Sequence, residues 1–280
     1  MEDDHVNFES LMSEKEYKEI VEKFPGPHSF LGIYDGHNGR LAAEYLAEHL
    51  HHSVINSEHF QSGDFAEALR RTFVGVDDRF CTAAREKNTQ DGSTAAVCLI
   101  VGNRLFAANV GDAEVIVGRK KVGGDGNQIE SIVLSRLHKP TDPEEKARIM
   151  NEGGLVLRGR VGGILAVARA FGDLGFKTPI DDGDIKIGKL VTAEPFVDEY
   201  ELVPDRDLFV IVGCDGVWEA MSKDQSNDLV ASNLHEDPNT ISQLLIQKAY
   251  ELGSNDNISA IVAKLSWEEE EEKNGEGEQE

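Results

Sequence analysis

Short apolar runs alternate along the chain with longer segments of helical periodicity. Continuous apolar or alternating runs predict strands, and apolar residues that recur every three to four positions predict amphipathic helices. The predicted strands cover residues 29–34, 93–101, 104–110, 114–119, 130–134, 207–213 and 258–265. The predicted helices cover residues 40–52, 65–86, 142–152, 223–233 and 240–252.

The order of these elements favours two packed sheets with helices outside them. The block of consecutive strands between residues 93 and 134 argues against regular alternation of single strands and helices. Residues 172–190 are rich in Gly and Asp and predict an irregular surface loop or flap. From residue 268 the chain is acidic and almost without apolar residues. We therefore expect one folded domain over residues 1–267 and a disordered acidic tail over residues 268–280.

The composition narrows the class of protein. The 280 residues are 40% hydrophobic, enough for a sizeable core, and the formal net charge of −24 argues against a binder of nucleic-acid phosphates. Cys81, Cys98 and Cys214 lie in apolar contexts without paired spacing and predict buried free thiols. The first residues do not resemble a signal peptide, and no apolar run reaches the ~18–20 residues of a membrane span. We expect a cytoplasmic or nuclear monomer that binds neither nucleic acid nor membranes.

Aspartates at the ends of apolar strands are the main candidates for chemistry. Asp-Gly occurs five times, and most such pairs are only turns, because both residues tolerate turn geometry. Asp125 and Asp182 lie in polar loops and are interpreted as turns, whereas Asp91 precedes a strand and is interpreted as its start. Asp35 and Asp215 each end a strongly apolar strand, where an unpaired carboxylate is costly unless it meets a cation.

Further carboxylates extend this set. Asp112 follows an apolar strand, Asp256 stands just before one, and Glu2 and Asp3 lie near the start of the sequence. Carboxylates, a backbone carbonyl freed by Gly36 and the lack of a Cys/His cluster suit a hard cation, Mg²⁺ or Mn²⁺. The sequence thus predicts a cation site, provided that these residues converge in the fold.

Nine ordered motifs resemble the metal-dependent Ser/Thr phosphatases of the protein phosphatase 2C family. They run from Met1 to about Leu265 and read MED, YDGHNG, DGSTAAV, NVGDAEV, LSRLHKP, GRVGGILAVARAFGD, VTAEP, CDGVWEAMS and GSNDNISAIV. The resemblance implies a PPM-type phosphatase domain of the α+β class. Its expected fold is a four-layer α-β-β-α sandwich, in which helices flank two mostly antiparallel sheets and metals bind at one end.

The resemblance also implies the metal ligands. Asp35 would bridge two ions. The other implied ligands are Asp215 and Asp256 for the first ion, and the Gly36 carbonyl, Glu2 and, through water, Asp3 for the second. Two such cations share one hydroxide, lower its pKa and clamp a phosphoryl group for in-line attack. Asp112 resembles the ligand of a third, weaker ion, and Glu219 stands where the family usually has another Asp for it.

His37 lies beside these ligands in the sequence, and we expect it to protonate the leaving serine or threonine oxygen. The alternative is a histidine that only supports the ligands or faces solvent. The expected catalytic residues are therefore His37, Asp35 and Asp215. Arg160 and Arg169 could touch phosphate, but structural ion pairs are the favoured interpretation.

The start of the sequence departs from the family pattern. The family places an Arg and a strand before Met-Glu-Asp, and this sequence begins at Met1. We expect phosphate binding to be weaker by roughly 1.5–3 kcal/mol, the worth of a charge-assisted hydrogen bond. We also expect Glu2 and Asp3 to hang on a free terminus.

The sequence predicts Mg²⁺- or Mn²⁺-dependent hydrolysis of phosphoserine and phosphothreonine in phosphoprotein substrates. Two alternatives stay open at this point. One is a weakened pseudophosphatase that acts as a binding or regulatory module, which the missing Arg and strand favour. The other is a dinuclear-metal hydrolase that acts on a small phosphate ester.

Overall fold

Every predicted strand and helix is present in the computed structural model, which describes residues 1–122, 128–182 and 185–267. The strands are β1 (Asp4–Phe8), β2 (His28–Tyr34), β3 (Gly36–His37), β4 (Gly92–Ser93), β5 (Ala95–Val101), β6 (Arg104–Val110), β7 (Glu114–Lys120), β8 (Ile129–Val133), β9 (Val156–Leu157), β10 (Arg160–Val161), β11 (Phe171–Gly172), β12 (Ile180–Asp182), β13 (Ile185–Ile187), β14 (Phe196–Glu201), β15 (Asp207–Gly213) and β16 (Ala260–Lys264). The helices are α1 (Lys18–Val21), α2 (Leu41–Ile55), α3 (Glu58–Gln61), α4 (Phe65–Lys87), α5 (Pro143–Asn151), α6 (Leu174–Lys177), α7 (Asp215–Trp218), α8 (Lys223–Ser232) and α9 (Pro238–Glu251).

Two antiparallel sheets form the centre of the fold. The first has the strand order β1-β2-β5-β6-β14, and the second has the order β16-β15-β7-β8. Each neighbouring pair in both sheets is antiparallel. The central strands are buried on both faces, which explains why they read as continuous apolar runs rather than as alternating ones.

Alternate residues of each central strand belong to different layers. In β5, Val97 packs with the apolar faces of α2 and α4, whereas Cys98 packs between the two sheets. In β15, Val210 packs between the sheets, whereas Phe209 packs with residues of α8 and α9. The layers therefore run helix, sheet, sheet, helix, and the predicted α-β-β-α sandwich is confirmed.

The helix ends follow the capping chemistry of the sequence. The Asp142 carboxylate accepts the backbone N–H groups of Glu144 and Glu145 at 2.9 and 3.3 Å, with a proline at the first helical position. Ser222 and Gln225 form a reciprocal capping box at the start of α8. Such caps satisfy N–H groups that have no partner inside the helix.

The prediction that residues 172–190 are irregular is wrong in part. This segment contains the short helix α6 and the hairpin of β12 and β13. Lys177 at the end of α6 forms a buried ion pair with Asp77 of α4 at 2.7 Å and donates to the Ala170 carbonyl. This ion pair joins residues 100 positions apart, so the local sequence pattern does not indicate it.

Several short or edge elements were not predicted from the sequence. They include the edge strands β1 and β14, the short helices α1, α3 and α7, and the two-residue strands β3, β9, β10 and β11. Asp125 and the predicted tail over residues 268–280 lie outside the described residues. Within the described part of the chain, no helix combines the length and apolar character that crossing a membrane requires.

Candidate active site

The two sheets bring Asp35 and Asp215 together at one end of the sandwich. Asp35 follows β2 of the first sheet, and Asp215 follows β15 of the second and begins α7. Asp35, Cys214 and Asp215 each place one potential ligand atom within 4.8 Å of the other two. Residues 180 positions apart in sequence thus share one site.

The residues before β1 are fixed beside this pair. The Glu2 N–H donates to Asn257 Oδ1 at 2.8 Å, and Asp3 Oδ2 accepts from Ser259 Oγ at 2.7 Å. The main chain of Glu2 lies so close to Gly36 that a side chain at Gly36 would collide with it. The expectation that Glu2 and Asp3 hang on a free terminus is therefore wrong, because pairing of β1 with β2 holds them in place.

The carboxylates of the site repel one another. Burial, followed by the charges of Asp3 and Asp215, raises the pKa of Asp35 to about 10. Burial and the charges of Asp112 and Asp256 raise the pKa of Asp215 to about 6. Burial raises the pKa of Asp3 as well, and the Asp256 charge adds to the increase. Each effect favours the neutral acid, so a cation placed here would restore the carboxylates.

Two carboxylate oxygens point to the same conclusion. Asp3 Oδ1 and Asp215 Oδ1 are buried and have no hydrogen-bond partner among the described residues. Buried polar atoms normally have a partner, and carboxylate oxygens are the ligands that hard divalent cations prefer. The residues present therefore fit a Mg²⁺ or Mn²⁺ ion. Asp256 is exposed, and it is near enough for its charge to raise the pKa of Asp3 and of Asp215.

Cys214 belongs to the site although sequence reasoning treated it only as a buried thiol. Its Sγ accepts the Ser259 N–H at 3.1 Å and lies 3.3 Å from the Asn257 carbonyl oxygen. Burial and the Asp35 charge raise the pKa of this thiol, so it stays neutral and holds the loop before β16. Cys98 is also buried as predicted, whereas Cys81 is half-buried.

Asp112 and Glu219, the expected ligands of a third ion, share a lysine. The buried Asp112 carboxylate is paired with Lys139 Nζ, and the same Nζ lies 3.6 Å from Glu219 Oε1. Glu219 itself is exposed. The Lys139 ammonium thus already neutralises the position at which a third cation was expected.

His37 is paired with a carboxylate that sequence reasoning missed. Its Nε2 lies 2.8 Å from Asp173 Oδ2, and the Asp173 side chain is buried. Burial lowers the pKa of His37, but the bond to Asp173 and the charges of Asp112 and Glu2 outweigh this effect and raise it overall. In the sequence, the only indication of a role for Asp173 is its position at the end of the motif GRVGGILAVARAFGD.

The two motif arginines have structural partners. Arg169 lies 2.6 Å from Glu145 Oε1 and also donates to the Glu194 carbonyl at 2.8 Å. Arg160 is exposed and donates to the Ile164 carbonyl at 2.7 Å. The predicted structural ion pair is present for Arg169, whereas Arg160 forms no ion pair among the described residues and only a hydrogen bond within its own turn.

Asp91 does more than start a strand. Its side chain is buried, and its Oδ2 accepts the Leu41 N–H at 3.0 Å, at the first residue of α2. A carboxylate at this position satisfies a free helix N–H and complements the helix dipole. This Asp-Gly pair therefore anchors α2, the helix that directly follows the Asp-Gly-His motif.

Comparison with known proteins identifies the family. The family model described as protein phosphatase 2C matches residues 1–258. The chain is 34% identical over 272 residues to protein spalten of Dictyostelium discoideum, and this alignment covers 95% of this chain and 26% of that protein. It is 35% identical over 240 residues to probable protein phosphatase 2C 52 of rice, Oryza sativa subsp. japonica, and this alignment covers 85% of this chain and 44% of that protein. The chain thus spans less than half the length of either relative.

Solved structures share the fold. A sex-determining protein of C. elegans matches with a TM-score of 0.76 and 24% identity over 94% of this chain and 61% of that chain. The serine-threonine phosphatase 2C of Toxoplasma gondii matches with a TM-score of 0.74 and 21% identity over 86% of each chain. These matches show the fold, and the family model, which covers most of the sequence, shows that the chain belongs to the protein phosphatase 2C family.

Proposed function

We propose that this chain hydrolyses phosphoserine and phosphothreonine in proteins with Mg²⁺ or Mn²⁺ as its cofactor. The observation that carries the proposal is the convergence of Asp35 and Asp215 on one site at which buried carboxylates outnumber their counter-charges. Membership of the protein phosphatase 2C family supports the reaction class.

The donor set of the site suits two hard cations. The residues that would hold them are Asp35 for both ions, Asp215 and Asp256 for the first, and the Gly36 carbonyl, Glu2 and, through water, Asp3 for the second. Bound there, the ions would lower the pKa of a water molecule that serves as the nucleophile and would neutralise the charge of the phosphoryl oxygens. A third ion at Asp112 and Glu219 would compete with Lys139 for both carboxylates, which supports a weaker third site.

The side chains of the protein supply the rest of the chemistry. The Ser259 hydroxyl orients Asp3, and the Asn257 side chain orients the main chain of Glu2, so the ligands are positioned before any ion binds. His37 is a quarter exposed and next to the ligand Gly36, where it can protonate the leaving oxygen. A serine or threonine alkoxide is a poor leaving group, so a proton donor beside it lowers the barrier.

Phosphate release from a phosphothreonine peptide tests the proposal. We expect turnover that depends on Mn²⁺, stops with a chelator and is lost in Asp215→Asn. Asp224→Asn is the matched control, because Asp224 lies in the first turn of α8 as Asp215 does in α7, but is exposed and was assigned no metal. Asp224→Asn should retain full activity.

The alternatives give different results in the same assay. A hydrolase of small phosphate esters would turn over such esters while leaving the peptide intact. A binding module would be folded and silent on both substrates in Mn²⁺. Turnover that survives in Asp215→Asn would mean that the chemistry lies elsewhere in the chain.

A further inference from the structure

A small sheet beside the metal-binding end holds His37 in place. Its strand order is β11-β4-β3, and each strand has only two residues. The register places His37 opposite Gly92 and Gly92 opposite Gly172. A side chain at Gly92 would overlap His37 Nε2 and the Asp173 carboxylate, so glycine is required there. The sheet thus unites Asp-Gly-His, Asp-Gly-Ser and Phe-Gly-Asp, three motifs that are far apart in the sequence.

Asp173 is held in a strained backbone conformation to reach His37. Its φ is +53°, in the left-handed region, which costs a non-glycine residue about 1 kcal/mol or more. Its N–H donates to the Asp91 carbonyl at 3.0 Å. The preceding Gly172 N–H donates to Asp77 Oδ1 at 2.8 Å, and Asp77 is itself paired with the buried Lys177. Strain maintained by such surroundings is typical of functional sites.

The contact fixes which nitrogen of His37 is left free of Asp173. An ionised carboxylate only accepts hydrogen bonds, so His37 Nε2 carries the hydrogen toward Asp173. The Asp173 side chain is 1% exposed, whereas that of His37 is 25% exposed. Nδ1 is then the nitrogen that stays available for exchange of a proton with a ligand.

We infer that Asp173 is a positioning residue that holds His37 with Nε2–H toward itself and leaves Nδ1–H to protonate the departing serine or threonine oxygen. This inference rests on the proposed function. In the step, the nucleophile forms its bond to phosphorus as the phosphorus–oxygen bond breaks, and the leaving oxygen takes the Nδ1 proton. The imidazolium becomes neutral imidazole, Asp173 stays ionised, and water returns the proton. Asp173 thus acts on the reaction only through His37.

The dependence on leaving group separates this role from a structural one. Asparagine matches aspartate in size and tolerates the left-handed conformation, so Asp173→Asn should fold. With a phosphothreonine peptide and Mn²⁺, we expect kcat to fall by roughly 10²-fold, with KM little changed. With 4-nitrophenyl phosphate, whose leaving group needs no proton, we expect little change. Asp205→Asn is the matched control, because Asp205 is an exposed aspartate with φ of +60°.

The outcomes of this assay are distinct. Equal losses on both substrates would overturn the role of Asp173 while leaving the phosphatase proposal in place. A chain of unchanged sequence that turns over neither substrate in Mn²⁺ would overturn the proposed function, and the inference with it. The same substitution in a His37→Gln background should cause no further loss with the peptide, because the two residues act as a unit. A further loss there would show that Asp173 does not act through His37.

A spectroscopic measurement on the metal-free chain needs no turnover. The ring ¹⁵N signals of neutral His37, assigned by their loss in His37→Gln, should report the Nε2–H tautomer. In Asp173→Asn we expect a mixture or the Nδ1–H tautomer, because the amide can donate as well as accept. An unchanged Nε2–H tautomer in Asp173→Asn would contradict the inference.

Discussion

Two groups of buried carboxylates lie in this fold, and they differ in how their charge is balanced. Glu145 at the start of α5 is almost fully buried and lies 2.6 Å from Arg169 and 3.0 Å from Arg148. Burial alone would raise the pKa of Glu145, but the two arginines outweigh it and hold the pKa below its usual value. In the group of Asp35 and Asp215, burial and neighbouring carboxylates raise the pKa of both residues.

This difference distinguishes a carboxylate that stabilises the fold from carboxylates that are suited to bind a ligand. Where a buried carboxylate joins parts of the fold, as Glu145 of α5 does through its ion pair with Arg169, the chain supplies the cations itself. At the end of the sandwich, Asp35 and Asp215 lie among further carboxylates, and we propose that a bound cation balances their charge. The same kind of substitution, carboxylate to amide, should therefore have opposite effects on stability in the two groups.

The largest expected effect is the loss of phosphatase activity when Asp35, in the group of Asp35 and Asp215, is replaced. In Asp35→Asn we expect phosphate release from the peptide to fall by more than the roughly 10–100-fold typical of residues that only support a metal ligand. In the proposed arrangement Asp35 would hold both ions, so its loss should affect both. Steady-state kinetics with saturating Mn²⁺ check this. Retention of most of the activity would remove Asp35 from the mechanism.

The next largest effect is the loss of protein stability when Glu145, whose charge Arg148 and Arg169 balance, is replaced. Glu145→Gln leaves two arginines without their buried partner and should lower the free energy of unfolding by about 3 kcal/mol. Chemical denaturation measures this change. Glu144→Gln is the matched control, because Glu144 is an exposed neighbour paired with Arg136 at 2.9 Å and should change stability by less than about 1 kcal/mol. Equal effects of the two substitutions would refute the distinction drawn for Glu145.

The contribution of Asp35 to the free energy of unfolding should depend on pH in the opposite sense to that of a carboxylate in a salt bridge. Because the folded-state pKa of Asp35 is raised, the folded protein keeps a proton that the unfolded chain has released. The contribution of this group to stability is complete below the ordinary aspartate pKa of about 4 and is lost as pH rises towards about 10.

Thermal unfolding in a chelator at about pH 6 and about pH 8 checks this sign. The midpoint of the unchanged chain should fall between the two conditions, and it should fall less in Asp35→Asn, which should be the more stable protein in chelator at the higher pH. Mn²⁺ should remove most of the difference, since it binds the carboxylate form. A midpoint that rises with pH more in the unchanged chain than in Asp35→Asn would contradict the raised pKa.

The smallest expected effect concerns Lys139. Replacing its ammonium in Lys139→Met leaves Asp112 free to bind a cation, so we expect weak Mn²⁺ binding beyond the first two ions to become tighter. Titration calorimetry follows the weak phase, with Lys223→Met as a comparison, because Lys223 pairs with the buried Glu114 in a similar way. Unchanged weak binding in Lys139→Met would mean that Lys139 does not compete with an ion.

The parts of the fold that depend on local pattern were predictable. The strands that end at Asp35 and Asp215 were found from the sequence because burial on both faces produces unbroken apolar runs. The cap at Asp142 was found because capping is a local property. Strand β1 was missed because it is a short edge strand in which only Val6 is buried.

The parts of the site that depend on tertiary contact were not predictable from local pattern. Asp173 meets His37 across 136 positions through strands of two residues, which have no periodicity to detect. Cys214 looked like an ordinary core thiol, and only the packing of the sheets brings it within reach of Asp35. The contact of Lys139 with both Asp112 and Glu219 likewise follows from the folded chain alone.

The measurement that tests the central claim most directly is equilibrium binding of Mn²⁺ to the metal-free chain near neutral pH. We predict two tightly bound ions per chain, the same result for Asp224→Asn, and loss of tight binding in Asp215→Asn. Glu145→Gln, studied at a temperature at which it is folded, should bind both ions, because its charge is balanced by arginines. Tight binding that survives in Asp215→Asn, or a folded unchanged chain that binds no Mn²⁺, would contradict the assignment of this carboxylate group as the metal centre.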